Sequence, residues 1–393
     1  MMGALQDYAQ RLLELGSSSA HPASAVIGVS SQGVSATAAS GWALLPTADE
    51  PGVLMSDDTL VDCASVTKVV ATTVIVMRLV SLGRLRLLDH VADYLPEFET
   101  ASKRGVRIVD LLTHTSGMPA WLPLYCFTSS REEALQEAQR VSLESEPGSR
   151  WSYSDLGMIV LGALIEKIEG ERLDVVYHHH VSGPLALRSG FGPQPAMNSA
   201  ASADSDAYEY RMIASGSPYP VPFTPDVFGG WRNRTLRGEV NDGNAAHALG
   251  AVSGHAGLFS TVGDLLTLGR ALIGGDFVDP SVMDLFSRPS EVNPAQAVGF
   301  RSARVHMGDT VLPILYHPGF TGTWFGMSQS GNLVVAGAAM RLYGVVGCLP
   351  SKEGPQPVPR IVSNDDIQAV LCDAAAGVTV RWPNKSNHAE SGH

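Results

Sequence analysis

The sequence predicts an α+β fold in which a mainly helical lobe is inserted into a lobe built on a β-sheet. Short β-branched segments separated by Ser and Gly occur near the N-terminus, in ASAVIGVSSQGVSATAASGWALL, as is typical of antiparallel strands joined by turns. A second strand signal, GNLVVAGAAMRLYG, lies near the other end of the chain. Because helical segments occupy the middle, we assign residues 1–84 and 296–381 to an α/β lobe and residues 85–295 to the helical lobe.

Each end of the chain predicts a helix. MMGALQDYAQRLLELG has the apolar spacing of an amphipathic helix, and it lacks the basic n-region and continuous apolar h-region of a signal peptide. We therefore expect a cytoplasmic protein. SNDDIQAVLCDAA predicts a second helix with Ser363 or Asn364 as its N-cap. Residues 382–393 are almost devoid of apolar side chains, and we expect them to form a disordered tail.

Composition excludes several classes of partner. The 393 residues are 45% hydrophobic, which is enough to bury a large core. The net charge is −12, with 27 basic against 39 acidic residues, so nucleic acid and anionic membranes are disfavoured as partners. The longest apolar run, residues 69–80, is interrupted by Arg78 and is shorter than the roughly 20 residues that span a bilayer. This run therefore predicts a core helix. Because nucleic acid and anionic membranes are disfavoured, the expected partner is a small molecule.

The sequence predicts neither a metal site nor a cofactor. The four cysteines are dispersed without a CxxC pair, which argues against a zinc cage. The triplet from His178 to His180 falls in a predicted helix, where successive side chains point about 100° apart and cannot chelate one ion. Cys63 lies near the catalytic candidates described next, but no cysteine-protease signature surrounds it.

Ser65 and Lys68 stand three residues apart at the head of the apolar helix. A helix N-terminus favours developing negative charge, and residue i+3 projects from the same side one turn later. A semi-buried lysine there can accept a proton or act as a cation that lowers the pKa of a neighbouring phenol. Ser-x-x-Lys is thus an arrangement for an activated nucleophile. The alternative is a serine N-cap followed by a solvated lysine.

Two further groups can complete such a site. Tyr153 lies just before a predicted helix that has Ser154 or Asp155 as its N-cap and ends at Gly170, and His317 lies in a strand-like segment before a glycine-bearing turn. A phenol and a carboxylate two residues apart can both point into one cleft. Taken separately, the simpler interpretations are favoured: Tyr153 as a core aromatic residue with a satisfied hydroxyl, and His317 as an isolated strand histidine.

In chain order, these groups resemble the signatures of the serine hydrolases of the penicillin-binding-protein and class C β-lactamase superfamily. Those signatures run Ser-x-x-Lys, Tyr-x-Asn, and Lys-Thr-Gly or His-x-Gly. Here they are SVTK at 65–68, YSD at 153–155 and HPG at 317–319. The segments LLTHTSGMP, GEVNDGNAAHALGAVSGHAGLFST and HPGFTGT also look like parts of esterase-like and carboxypeptidase-like members.

The resemblance implies a role for each matching residue. Ser65 would be the nucleophile that is acylated, Lys68 its proton partner, and Tyr153 the general base needed for deacylation. The backbone N–H groups of Ser65 and Phe320 would form the oxyanion hole, where preorganised donors are worth about 3 kcal/mol each. The implied fold is β-lactamase/transpeptidase-like: an antiparallel sheet of five or more strands flanked by the terminal helices, with the site where the helical lobe meets it.

The third group and Asp155 depart from the family pattern. Asp155 stands where the family usually has Asn, and it should pair with Lys68 or His317. Pro318 replaces a threonine that holds the substrate carboxylate in lactamases and peptidases, and His317 is a weaker cation than lysine. With Gly319 these residues would line the substrate site. We therefore expect neutral or cationic esters and amides as substrates, with weak turnover of β-lactams.

Several alternatives stay open at this point. Ser65, His317 and Asp155 could form a Ser-His-Asp relay in place of the Lys/Tyr mechanism. The leading hypothesis is a hydrolase of carboxylic esters that uses a Ser65 acyl-enzyme. The alternatives are an acyltransferase with the same intermediate, aided by an aromatic loop at residues 189–231 that excludes water; a β-lactamase or D-amino-acid peptidase; and a catalytically silent binding or sensor protein. The oligomeric state does not follow from the sequence.

Overall fold

The computed structural model describes residues 2–17, 20–307, 310–350 and 357–380. The tail at 382–393, expected to be disordered, lies outside these described residues. Twelve strands occur in the described part of the chain: β1 (Ser24–Ser31), β2 (Val34–Leu44), β3 (Val53–Leu54), β4 (Val61–Asp62), β5 (Gly190–Phe191), β6 (Ala201–Ala203), β7 (Leu236–Arg237), β8 (Leu258–Ser260), β9 (Arg301–Met307), β10 (Thr310–Pro318), β11 (Thr323–Ser328) and β12 (Leu333–Ala339).

The α-helices of the described part of the chain lie at both termini and through the middle. They are α1 (Met2–Leu13), α2 (Val74–Ser81), α3 (Ile108–Leu112), α4 (Arg131–Arg140), α5 (Asp155–Glu169), α6 (Leu173–Tyr177), α7 (Ala207–Ser215), α8 (Val262–Gly274), α9 (Pro280–Phe286) and α10 (Asn364–Val380). Ser363 caps the last of them, because its Oγ accepts the N–H of Asp366 at 3.1 Å.

A seven-stranded antiparallel sheet, in the order β3-β2-β1-β12-β11-β10-β9, joins the two ends of the chain. β1 pairs with β12 along its whole length, from Ala25 opposite Ala339 to Ser31 opposite Leu333. The sheet expected from the two terminal strand signals is therefore confirmed. Two small sheets, β4-β8-β5 and β6-β7, lie outside it.

The terminal helices α1 and α10 cover one face of the sheet. Leu5 and Leu371 are fully buried there against alternate residues of β1 such as Ile27. The intervening residues face the other side, where Val26 belongs to the main core together with the helices of the middle of the chain. Alternation with period two in β1 thus supplies both cores.

Helix α8 lies directly on the inner face of the sheet. Glycine permits this close approach: a Cβ at Gly28 of β1 would lie 2.5 Å from the Val262 side chain, and one at Gly269 would overlap Val334 of β12. Residues 262–274 belong to the range that the sequence assigned to the helical lobe, yet they pack on the sheet. The division into two lobes stays a prediction.

The apolar run after Ser65 forms the central buried helix. It begins with a 3₁₀ turn at Ala64–Val66, continues as a π-helix at Lys68–Thr73 and ends as α2. The window Ala64–Ser81 has a mean hydropathy of 1.5, and 78% of it is buried inside the protein. Its apolar character is thus accounted for by packing within the fold, as the sequence predicted for residues 69–80.

Candidate active site

Ser65 follows a strained turn between β4 and the central helix. Ala64 has a φ of 44°, in the left-handed region, which costs a residue with a side chain roughly 1–2 kcal/mol. The Asp62 carboxylate stabilises this turn by accepting the N–H groups of Ala64 at 2.8 Å and Asn241 at 2.7 Å. Burial raises the pKa of Asp62 to about 6. The turn places Ser65 at the start of the helix, as the sequence predicted.

Lys68 is buried and contacts several groups at once. Its Nζ lies 2.9 Å from Ser65 Oγ, 2.9 Å from the carbonyl oxygen of His255 and 2.7 Å from Asp155 Oδ1. Burial alone would lower the pKa of Lys68, but the charge and hydrogen bond of Asp155 outweigh it and hold this pKa above its usual value. Lys68 is therefore a cation at neutral pH, and Asp155 pairs with it rather than with His317.

Tyr153 lies beside this pair, held by the segment that caps α5. Its hydroxyl hydrogen-bonds with Ser65 and Lys68, and the ring of His114 packs on it at a centroid distance of 4.6 Å. His114 Nδ1 accepts the N–H of Ser154 at 3.2 Å, which fixes this histidine as a structural support. Burial raises the pKa of Tyr153, the charge of Lys68 opposes that rise, and the pKa stays above its usual value.

His317 is 2% exposed and neutral. Its Nδ1 lies 2.8 Å from the carbonyl oxygen of Pro318, which can only accept, so Nδ1 bears the proton and Nε2 bears the lone pair. Burial, reinforced by the charges of Lys68 and Arg301, lowers the pKa of His317 well below its usual value. Nε2 has no partner among the described residues, and Asp155 contacts Lys68 instead. The relay of Ser65, His317 and Asp155 is therefore not assembled.

The turn after β10 brings a backbone amide to the nucleophile. Gly319 is required there, because a Cβ would lie 2.7 Å from the Cys63 carbonyl oxygen and would overlap Thr323. The next amide, that of Phe320, donates to no backbone carbonyl of the described residues. The buried Arg341 fixes this turn: its Nε donates to the Phe320 carbonyl oxygen at 2.9 Å. A free, fixed amide is suited to stabilise an oxyanion.

A cavity of about 260 Å³ opens in front of Ser65. Trp121 and Tyr219 form an aromatic wall, with ring centroids 6.0 Å apart. Tyr219 belongs to the segment 189–231, which the sequence treated as a loop; the structure instead folds parts of it into β5, β6 and α7, and it does line the cavity.

Acidic side chains line another part of the cavity, and two of them have basic partners. Asp206 contacts Arg232 at 2.7 Å, and Asp242 contacts His255 at 2.8 Å. Glu209 instead accepts the Tyr125 hydroxyl at 2.7 Å. Burial, with the charge of Asp242 adding to it, raises the pKa of Glu209 to about 8.

The sequence-predicted residues meet at this one cavity. Those that line it or contact a lining residue are Ser65, Lys68, Tyr153, Asp155, His317, Gly319 and Phe320. Sequence reasoning missed several charged residues, among them Arg301, Arg341 and Glu209 in the cavity lining and Asp62 in the turn before Ser65. Asp62 lies just upstream of the first motif, but the motif pattern assigns it no role; the others are distant from the three motifs in sequence, so no short spacing could have revealed them. The described residues contain no cluster suited to hold a metal ion.

The family model for β-lactamase matches residues 9–347, which is more than half of the chain, so the chain belongs to the β-lactamase family. The chain is 30% identical over 315 residues to the N-acetylmuramyl-L-alanine amidase of Bacillus subtilis, covering 72% of this chain and 68% of that protein. It is also 30% identical over 308 residues to a putative D-alanyl-D-alanine carboxypeptidase of Escherichia coli, covering 70% and 67%. The protein is thus a serine hydrolase of the β-lactamase and penicillin-binding-protein superfamily.

Solved structures agree on the fold. EstCE1, described as a hydrolase with promiscuous acyltransferase activity, superposes with a TM-score of 0.66 at 22% identity, covering 95% of this chain and 98% of that chain. A penicillin-binding-protein homologue from Caulobacter crescentus gives a TM-score of 0.68 at 16% identity, covering 95% and 97%. The β-lactamase/transpeptidase-like fold implied by the sequence resemblance is confirmed.

Proposed function

We propose that the protein hydrolyses carboxylic esters through an acyl-enzyme formed on Ser65. The observation that supports this most directly is the contact of Lys68 Nζ with Ser65 Oγ at 2.9 Å, in a cavity that Phe320 also lines. A nucleophile, a cation beside it and an oxyanion donor are the parts that acyl transfer needs.

In this mechanism Tyr153 receives the proton of Ser65. Lys68 is held charged by Asp155, so it stabilises a phenolate rather than accepting the first proton itself. The Ser65 oxygen attacks the ester carbonyl, the alcohol leaves with the proton, and the acyl group stays on Ser65. Tyr153 then takes a proton from water, and the resulting hydroxide attacks the acyl carbon to release the acid.

Steady-state hydrolysis of a short p-nitrophenyl ester, beside a chromogenic cephalosporin, tests the proposal. We expect ester turnover to fall by at least about a thousandfold in Ser65→Ala, because only the background from binding and the oxyanion hole remains. Ser287→Ala removes a serine hydroxyl that donates to the Met283 carbonyl oxygen in α9, far from the cavity, and should behave as wild type. Equal turnover by Ser65→Ala and wild type would refute the proposal.

Cleavage of amide bonds is the second candidate, and the names of the curated relatives favour it. These relatives are an amidase and putative D-alanyl-D-alanine carboxypeptidases, and each matches about two thirds or more of its own length. The same acyl-enzyme would serve both reactions, since they differ only in the leaving group. Release of D-alanine from N-acetyl-D-alanyl-D-alanine, compared with ester turnover by the same preparation, decides which bond is preferred.

A further inference from the structure

The loop that precedes β8 contacts the central helix through two of its backbone carbonyl groups. The carbonyl oxygen of His255 accepts a hydrogen bond from Lys68 Nζ at 2.9 Å, and that of Gly254 accepts one from Thr72 Oγ1 at 2.7 Å. Gly254 also lies directly against α5, since a Cβ there would lie 2.1 Å from the Met158 carbonyl oxygen. The loop is therefore packed tightly between α5 and the helix that bears the catalytic lysine.

The side chain of His255 anchors this loop at the residue that contacts Lys68. The imidazole is 1% exposed, with Nε2 lying 2.8 Å from Asp242 Oδ1 and Nδ1 lying 2.7 Å from Ser253 Oγ. Because a carboxylate only accepts, Nε2 bears a proton and donates it to Asp242. Asp242 Oδ1 also accepts the N–H of Ala245 at 2.8 Å, so the carboxylate is itself fixed. With both ring nitrogens engaged, the histidine is held in one orientation.

The residue that precedes Asp242 is bound to the turn that carries the nucleophile. The N–H of Asn241 donates to Asp62 Oδ2 at 2.7 Å, and Asp62 Oδ1 accepts the N–H of Ala64 at 2.8 Å. Two consecutive residues are thus linked to both parts of the Ser-x-x-Lys motif, to the serine through this turn and to the lysine through the histidine. The relative position of the two catalytic groups therefore depends on one short segment.

From these contacts we propose that Asp242 and His255 are positioning residues, which hold the Lys68 ammonium at the nucleophile through the backbone carbonyl group of the histidine. This inference rests on the proposed acyl-enzyme function. An ammonium group on a flexible stem has three rotatable donors, so the acceptors around it determine where it lies. Without a fixed carbonyl oxygen, the attraction of Asp155 at 2.7 Å would draw the ammonium away from Ser65 Oγ.

The rate constant for labelling by a fluorophosphonate, in which the Ser65 oxygen displaces fluoride from phosphorus, tests this role. The reaction needs the activated nucleophile but no particular substrate. We expect His255→Leu, which keeps the backbone carbonyl but removes both ring contacts, to react about tenfold to a hundredfold more slowly than wild type. His255→Gln should recover part of the rate, because its amide nitrogen can donate to Asp242 in place of Nε2. In ester hydrolysis the loss should fall on kcat rather than on KM.

Asp242→Ala is a second variant, which removes the same contact from the other partner. It should slow labelling by a similar factor. The double variant with His255→Leu should be no slower than the slower of the two single variants, because the two side chains act as one unit. The rate constant does not depend on how much of the protein is folded, since the folded fraction sets only the final extent of labelling.

His180→Leu is the matched control. It removes another histidine–carboxylate contact, that of His180 Nε2 with Glu169 at 3.1 Å, and neither residue lines the cavity. It should be labelled at the wild-type rate. Wild-type rate constants in both His255→Leu and Asp242→Ala, even with a lower final extent, would overturn the positioning role and leave the hydrolase intact. Losses that multiply in the double variant would contradict the pair. An unlabelled Ser65 in wild type would instead refute the proposed hydrolase, and the positioning role with it.

Discussion

At the residue scale, electrostatics around Ser65 determine which group can act as the base. Asp155 holds Lys68 charged, and this charge in turn makes the phenolate of Tyr153 less costly than burial alone would allow. Asp155 also acts directly on Tyr153, raising its pKa. If Tyr153 is the base, as proposed, the direct effect of having Asp155 in place of the family's usual Asn is to shift activity toward alkaline pH.

Ester hydrolysis should therefore rise with pH well above neutrality. Because the phenolate is the active form and the pKa of Tyr153 is raised, kcat/KM should increase by about tenfold per pH unit from about pH 7 to about pH 9. Asp155→Asn removes the negative charge that acts directly on Tyr153 and raises this pKa, so the rising limb should move to lower pH. Tyr153→Phe should abolish the limb. A plateau reached below neutral pH in wild type would contradict this assignment.

The motifs revealed the nucleophile, lysine, phenol and histidine because each has a characteristic spacing or neighbour in the sequence. The state of these groups could not be predicted from spacing. His317 was expected to be a weak cation, but burial and two nearby positive charges make it neutral. The choice of Lys68 rather than His317 as the partner of Asp155 likewise depends on the three-dimensional path of the chain.

At the element scale, side-chain hydrogen bonds join the turn between β10 and β11 to the turn before the central helix. Thr323 donates to the Cys63 carbonyl oxygen at 2.9 Å, and Thr321 donates to that of Asp62 at 2.8 Å. These bonds link the segment containing Phe320 to the segment containing Ser65. The two amides expected to form the oxyanion hole are thus positioned by side chains that lie outside the motifs.

Arg341 is a positioning residue for this pair of turns. It holds the Phe320 carbonyl oxygen and, through Nη1 at 2.6 Å, that of Val362. Arg341→Met should lower kcat by about tenfold to a hundredfold with little change in KM, because the oxyanion forms only in the transition state. Arg341→Lys should recover part of the loss. A purely structural role would instead lower the unfolding midpoint while leaving kcat of the folded fraction unchanged.

Element boundaries followed from the sequence where capping signals were clear. Ser154 caps α5, with its Oγ 2.9 Å from the N–H of Gly157, and Gly170 ends that helix with a φ of 73°. α7 was missed because it lies in a segment rich in Ser, Pro and Gly, where local composition predicts a loop. The π-helical start of the central helix has no sequence signature, since its bonds depend on packing around Lys68.

At the scale of the whole molecule, the burial of acidic side chains around the cavity narrows the pH range in which the folded state is stable. The folded state raises the pKa of Glu209 from 4.5 to about 8. A carboxyl group whose pKa is raised on folding contributes stability below its unfolded pKa, and that contribution is lost as pH rises through the folded pKa. The free energy of unfolding should therefore decrease between the two values.

Comparison with Glu209→Gln isolates this effect. Glutamine resembles the protonated acid and can accept the Gly243 N–H while donating to the Tyr125 hydroxyl. Between about pH 6 and about pH 8, wild type should lose stability more steeply than the variant, by up to about 1.4 kcal/mol per pH unit. Urea unfolding at the two pH values measures the difference. Parallel pH dependence of the two proteins would show that Glu209 does not titrate in this range.

The overall architecture was predictable because three motifs in fixed order, with strand signals at both ends of the chain, define this fold class. What the sequence did not reveal are the single charged residues that complete the site. Arg301 comes from the edge strand of the sheet and Arg341 follows its central strand, and each reaches the cavity through tertiary structure alone.

The most direct test of the account is the intact mass of the enzyme quenched during turnover of a short p-nitrophenyl ester. We expect a mass increase equal to one acyl group on wild type, located on the peptide containing Ser65, and no increase on Ser65→Ala. Steady ester turnover with no adduct on wild type, or an adduct that persists in Ser65→Ala, would contradict the Ser65 acyl-enzyme.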